Sequence, residues 1–402
     1  MTHILDISSS PSYDNSIEKI NYISHYPFVK QFESSSDISI KCQNNDGFIL
    51  PSRSYLYVEL SLLDKNGTPV LANNASCKLS NMAAFGLFQE MRYNINSQLI
   101  ERNSNPFISC TIKTLLHQKK HSEQTLENSS WSRNGFSGGK FCFSIPLNKI
   151  FGFAEACDHV FPYSIHELVL TRSKNDDNCI IVNGDDNFTV RIDEIQWKLP
   201  VVRPSPDAHS MLISRIKSDE PINLAFRTFE LHSNPSLSGD SLAWTVKSSI
   251  AGESSRWIIL AFSTDKLYNK KKVGNIFDQC SVSDIKVYLN NNVYPENDLS
   301  INFENEKYSM IYEFYQNFQR EYNNNTTESD PMLSKTEFKE SPLYVIDCSR
   351  QPTVVKPSTV DLKVELKLNK PLPDKTILHC LTIYDKAIEY FPMTGQIKTN
   401  VF

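Results

Sequence analysis

Alternation with a period of two runs through most of this chain. In Tyr55–Leu62, residues Leu56, Val58, Leu60 and Leu62 share one face while Tyr55, Tyr57, Glu59 and Ser61 share the other. In Met91–Leu99, residues Met91, Tyr93 and Ile95 alternate with Arg92, Asn94 and Asn96. Such segments read as half-buried strands. The same pattern predicts strands at Phe141–Ile145, Ile165–Thr171 and Phe188–Leu199, with an irregularity at Asp193-Glu194. A second set follows at Leu224–Leu231, Leu242–Ser248, Trp257–Phe262, Ile285–Leu289, Leu343–Asp347, Val360–Leu368 and Ile377–Tyr384. A final strand is predicted near Gln396–Phe402. Helical periodicity interrupts each set once. After Asn105 as cap and Pro106 at the first turn, Ile108, Ile112, Leu115 and Leu116 form an apolar stripe. In Glu306–Phe318 the stripe is Tyr308, Ile311, Tyr312, Tyr315 and Phe318. A long polar segment follows each helix, His117–Lys140 in one case and Tyr322–Glu340 in the other.

One strand pattern occurs twice. Met91-Arg92-Tyr93-Asn94-Ile95-Asn96-Ser97-Gln98-Leu99-Ile100 is matched in kind by Ile285-Lys286-Val287-Tyr288-Leu289-Asn290-Asn291-Asn292-Val293-Tyr294. Each copy has a Phe upstream (Phe88, Phe277) and a helix downstream. A spacing of about 194 residues is too long for a solenoid repeat and fits a duplicated domain. Many short strands between turn signals mean sandwiches or barrels. The chain therefore reads as all-β, two tandem eight-stranded jelly rolls, each with a short inserted helix. Residues 1–30, polar and Ser-rich, read as an arm ordered only by partners. Pro200, Pro204 and Pro206 mark an extended connector, so the first jelly roll is expected over residues 31–203 and the second over 204–402.

Composition narrows the function. The chain has 402 residues, enough for two or three domains, with 23 Phe, 17 Tyr and 4 Trp to fill their cores. A net charge of −5 argues against phosphate neutralisation as the main task. Nine Cys without a CxxC pair read as reduced, packed thiols. On that reading the sequons at Asn74, Asn128, Asn187, Asn324 and Asn325 are accidental. No apolar stretch is long enough for a membrane span, and the first residues lack the apolar core of a signal peptide.

Templates for chemistry fail in turn. There is no phosphate-cradling GxxxxGK[ST] or GxGxxG and no GxSxG elbow. His117 and His121 lack the glutamate of HExxH and, beside Lys119 and Lys120, read as a solvated basic stretch. Asp185-Asp186, Asp193-Glu194 and Glu304/Glu306 fall at turns, a strand irregularity and a helix start, where acids are ordinary. Lys270-Lys271-Lys272 reads as a solvated loop rather than an import signal. Tyr308, Tyr312 and Tyr315 read as a packing or inter-subunit face rather than a base-stacking platform. No catalytic, cofactor-binding or metal-ligating residue is assigned, and no enzyme activity or nucleic-acid specificity is expected.

Several stretches, taken in order, resemble one family. Ala84–Phe88 with Met91–Ile100, Pro106–Leu116, Arg256–Leu260, Asn275–Asp278, Ile285–Pro295, Ser341–Asp347 and Asp361–Leu372 are similar to successive motifs of double jelly-roll major capsid proteins of the Polinton/Maverick and adintovirus group, which share their fold with adenovirus hexon. Ser341-Pro342 and Pro357-Ser358 depart from the family's usual Gly-Tyr and Gly. The resemblance implies a structural protein of the virion. Three chains would form a homotrimeric, pseudo-hexagonal capsomer, and capsomers would tile an icosahedral shell beside neighbouring capsomers and a minor or penton protein. Synthesis would be as a soluble protein in the cytoplasm or nucleus of the host. The two polar loops would decorate or clasp neighbours. The competing readings are a host-domesticated capsid descendant and a tandem jelly-roll glycan-binding or glycan-processing protein.

Overall fold

Strand pairing turns the alternation into two sandwiches. The computed structural model describes residues 15–400 except 44–46, 72–75, 185, 236–238, 240, 249–254, 323–328 and 351–360. Residues 1–14 of the expected arm, Asp185, Asn74, Asn324, Asn325, Pro357-Ser358 and Val360 lie outside the described residues. The first half contains β1 (Ile17–His25), β2 (Asp37–Gln43), β3 (Phe48–Ile49), β4 (Tyr55–Leu63), β5 (Cys77–Leu79), β6 (Phe88–Ile95), β7 (Gln98–Ser104), β8 (Lys140–Pro146), β9 (Ile165–Arg172), β10 (Ile180–Val182) and β11 (Thr189–Pro204). Its helices are α1 (Ala83–Gly86), α2 (Pro106–His117) and α3 (Gly152–Ala156). After α4 (Pro206–Lys217) come β12 (Ile222–Asn234), β13 (Ser241–Ser248), β14 (Ser255–Thr264), β15 (Val282–Leu289), β16 (Asn292–Tyr294), β17 (Tyr344–Asp347), β18 (Asp361–Leu368), β19 (Thr376–Tyr390) and β20 (Ile397–Asn400), with α5 (Ser309–Tyr322) and α6 (Lys335–Glu340) between β16 and β17.

The two halves share one strand order. In the first, β1-β11-β4-β8 form one sheet and β2-β9-β6-β7 the other. In the second, β12-β19-β14-β17 and β13-β18-β15-β16 do the same. Setting aside the small β3, β5, β10 and β20, both halves therefore order their eight strands 1-8-3-6 and 2-7-4-5. That is the jelly roll, made twice.

The repeated sequence is the hairpin between the fourth and fifth of these strands. Ile95 pairs with Gln98 around Asn96 and Ser97, both at positive φ (49° and 67°), as a two-residue hairpin turn requires. Leu289 pairs with Asn292 around Asn290-Asn291. The predicted irregularity is a bulge between Ile192 and Glu194.

Four expectations need correction. Residues 17–25 are not an unordered arm: they pair with β11 from Ile17↔Pro204 to His25↔Trp197. Pro200 and Pro204 belong to β11 rather than to a connector. They sit towards its end, past the stretch that pairs with β4, where a missing amide costs little. Asn105 makes no side-chain cap, and stands at φ 51° before α2. The second helix starts at Ser309, since Asn302 and Lys307 close a turn before it.

The first core is built around Trp197, Tyr93 and His166, all fully buried. Tyr93 touches Trp197 edge-on at 5.8 Å between ring centroids. His166 lies with Nδ1 2.8 Å from the Tyr93 hydroxyl and Nε2 2.6 Å from Ser164 Oγ. Burial drives its pKa down to about 3, so the folded ring is neutral while the unfolded one protonates near 6.5. His379, beside Ser233 Oγ at 2.8 Å, is lowered to about 4 by burial. Their contribution to stability is therefore complete above pH about 6.5 and declines as pH falls toward 4 and 3. The urea midpoint is expected to drop across that window. His166→Gln should flatten the slope, and an unchanged slope would count against this account.

Candidate assembly surfaces

The two sandwiches meet where β12 is pressed into the first one. Gly152 opens α3, and a Cβ there would sit 1.6 Å from the Arg227 carbonyl oxygen. Only glycine permits that approach. Glu101, on β7, accepts the Gly152 amide at 3.0 Å and the Phe153 amide at 2.8 Å, and the Thr228 hydroxyl of β12 at 3.1 Å. Burial raises its pKa although these donors oppose the rise. Phe153 packs edge-on against Phe226 at 5.7 Å. One carboxylate thus fastens a strand, a helix start and the neighbouring sandwich.

On the other side of β12, Lys113 of α2 lies 4.4 Å over the Phe229 ring and 2.8 Å from Glu155. His117 reaches Glu155 at 3.6 Å and meets the edge of Tyr322 at 4.9 Å. Burial lowers the His117 pKa. Burial also pushes Glu155 upward, but Lys113 and His117 outweigh it and hold it below its ordinary value. The Arg227 guanidinium spans Tyr322 and Trp257 at 4.4 and 5.2 Å. The inserted helices touch as well, with the Tyr315 hydroxyl donating to the Leu115 carbonyl at 2.6 Å. The tyrosine stripe of α5 is therefore partly an intramolecular seam.

The two polar loops clasp each other within the chain. Lys120 N donates to the Asp330 carbonyl at 3.1 Å and His121 N to Asp330 Oδ2 at 3.0 Å. Lys120 Nζ and Arg133 both reach Glu337, and Arg133 also donates to the Met332 carbonyl at 3.0 Å. Glu337 simultaneously closes a capping box with Ser334 at the start of α6. These contacts of the two loops, which were expected to decorate or clasp neighbours, are made within one chain. Burial raises the Glu337 pKa, but the Ser334 bonds, Lys120 and Arg133 together hold it at about 2.

Other sequence candidates disperse. Glu304 and Glu306 pair with Lys370 and Lys339, respectively. Asp193 binds Ser61 and Arg191, and Glu194 takes Gln196. Lys270 is no solvated lysine, since it binds Asp177, Asn187 and the Phe188 carbonyl across the seam. All nine cysteines are free thiols and seven are buried. Burial pushes Cys42 up to about 12. Among the described residues no three His, Cys, Asp or Glu side chains gather as a metal site, and no helix is long and apolar enough to cross a membrane. Sequence reading missed Glu101, Lys113 and Gly152. A Lys between Ile112 and Thr114, or a Glu in a hairpin, looks solvent-facing in one sequence.

Residues 77–388 match the double jelly roll-like domain. The chain belongs to the double jelly roll-like domain family. No curated protein matches it. Among solved structures, this double jelly-roll chain is similar to the Sputnik virophage at 3.5 Å resolution (TM-score 0.66, 8% identity, 99% of this chain and 91% of that one). It is similar to the PBCV-1 virus capsid (0.61, 12%, 97% and 98%) and to the mavirus major capsid protein (0.57, 11%, 98% and 92%).

Two outcomes test the double jelly-roll seam and clasp. Gly152→Ala should cost about 3 kcal/mol in denaturant unfolding, the upper end for overpacking, and a cost below about 0.5 kcal/mol would exclude the tight approach. The depressed Glu337 stabilises the clasp above its unfolded pKa near 4.5, and this is lost as pH falls toward about 2. Amide protection factors in residues 119–134, measured against the intrinsic exchange rate at each pH, should fall through that window and do so less in Glu337→Gln; an equal fall in both would remove Glu337 as its cause.

Proposed function

We propose that this chain is the major capsid protein of a virus in the Polinton/Maverick and adintovirus group. Its two jelly rolls, the first ending with β11 at Pro204, give each subunit two similar sandwiches. Three subunits then form a pseudo-hexagonal homotrimer, and trimers tile an icosahedral shell in the virion, beside a minor or penton protein. The polypeptide is made in the cytoplasm or nucleus of the host before assembly. Its role is structural, without catalysis or a cofactor.

The observation that carries this reading is the identical strand order of the two halves, joined along nearly full-length likeness to the mavirus capsid protein and the PBCV-1 capsid. A seam of buried groups supports it, because a subunit that must tile needs its two sandwiches at a fixed relation. Apolar burial between such subunits would favour permanent association. The order of motifs from Ala84 to Leu372 supports the narrower viral group.

Sedimentation of the purified chain is expected to give about 138 kDa, three times 46.0 kDa. Closed shells are expected by electron microscopy when it is made together with its minor partner. A stable monomer that binds glycans would overturn the proposal.

A further inference from the structure

The duplication assigns counterparts between the halves. At the end of β8, Tyr55 pairs with Pro146, then Lys198 with Tyr55 and Ser24 with Lys198. At the end of β17, Trp257 pairs with Asp347, Ile383 with Trp257 and Phe229 with Ile383. Ser24 of β1 is thereby the counterpart of Phe229 in β12, and Tyr22 of Arg227. The side-chain packing agrees: Tyr22 lies 5.8 Å from the Tyr55 ring as Arg227 lies 5.2 Å from Trp257.

These counterparts have different fates. The edge strand β12 is seated against the first jelly roll, and Phe226, Thr228 and Phe229 are buried. The edge strand β1 is open. Tyr22 and Ile23 are 50% and 40% exposed, and Tyr26 and Phe28 just beyond are 57% and 81% exposed. Such an apolar strand edge is a pairing and packing liability unless something covers it.

The receiving surface is duplicated too. The cleft between α2 and the end of β8 is lined by Lys113, His117, Pro146 and Glu155, with the Phe229 ring under Lys113 and Tyr322 against His117. Its counterpart between α5 and the end of β17 is a cleft of about 270 Å³ lined by Trp257, Pro295, Phe314, Phe318, Val345 and Ile346. Among the described residues no strand edge is seated there. Exposed Lys19, Lys30 and Arg203, with Glu18 among them, flank the open strand, while Glu321 and Asp347 rim the cleft, with Arg350 and Arg320 near Glu321. Burial and the neighbouring Asp347 raise the Glu321 pKa, against the pull of Arg350 and Arg320.

We infer that β1 and the Tyr26–Phe28 segment of one chain dock on the α5–β17 cleft of a second copy, repeating between chains the seam that β12 makes within one. The contact joins two different surfaces, head to tail, so it excludes a two-fold pair and gives a ring where the rotation closes, as the proposed trimer requires. The inference rests on the trimer proposed above, and assigns its surfaces.

Two full-length variants test it. Tyr22→Ser with Phe28→Ser removes the strand's contacts, and at these exposures leaves the fold intact. Asn317→Lys with Glu321→Lys blocks the cleft on the outer side of α5. Each alone is expected to sediment at 46.0 kDa with an unchanged circular dichroism spectrum. Mixed, they should give a one-to-one complex of about 92 kDa, twice 46.0 kDa, because one keeps the cleft and the other the strand. Trimers persisting in either variant, or a mixture that stays monomeric, would overturn the assignment. A wild-type chain that is itself monomeric would instead remove the trimer reading, and this inference with it.

Discussion

The fold depends on one close approach, that of the α3 backbone to the β12 backbone at Gly152 and Arg227. A sheet edge has unpaired backbone groups, and a sandwich made alone would leave β12 open on one side. Placing it against α3 and β7, under Glu101, removes that edge from water. It also sets where α5 lies against α2, and so where the two polar loops can reach each other. The remaining contacts across the seam, from Lys113 to Tyr322, presuppose this spacing.

The strands that alternate cleanly were legible in the sequence. Leu56, Val58, Leu60 and Leu62 do face the core, and the duplicated hairpin marks equivalent strands of the two halves. Residues 17–25 were not legible, because both sides of β1 are mostly exposed and no alternation marks a strand paired along one edge only. The loop after α2 hides a buried Leu126 and Trp131 among polar residues, too few to show a period. The loop after α5 contains α6, whose capping box Ser334-x-x-Glu337 was present in the sequence but followed by too short an apolar run. Assembly surfaces were the least legible feature. They are made from residues whose partners lie two hundred positions away or on another chain, and their types resemble ordinary surface.

Charge has a different role in the two kinds of contact. In the seam, Glu101, Lys113 and Glu155 are shielded from water and each meets several partners, so removing one leaves others uncompensated. In the clasp, Glu337 remains partly solvated and acts through multiplicity, holding Lys120, Arg133 and Ser334 at once. The first arrangement fixes geometry. The second ties surface loops in a way that acid can release.

The seam also has an order in time. Gly152 and Phe153 leave the ribosome well before Arg227 and Phe229, with 75 residues to be added between Gly152 and Thr228's neighbour Arg227, which at about 5–20 residues per second takes roughly 4–15 s. Once β11 has been made, the first sandwich is complete in its strands, yet its groove for β12 stays open until Arg227 and Phe229 arrive. A nascent chain from another ribosome carries the same strand and fits the same groove. Crowded synthesis therefore sets the intended partner within the chain against an identical strand from outside it, and the short peptide path between the halves is what gives the chain's own β12 the advantage.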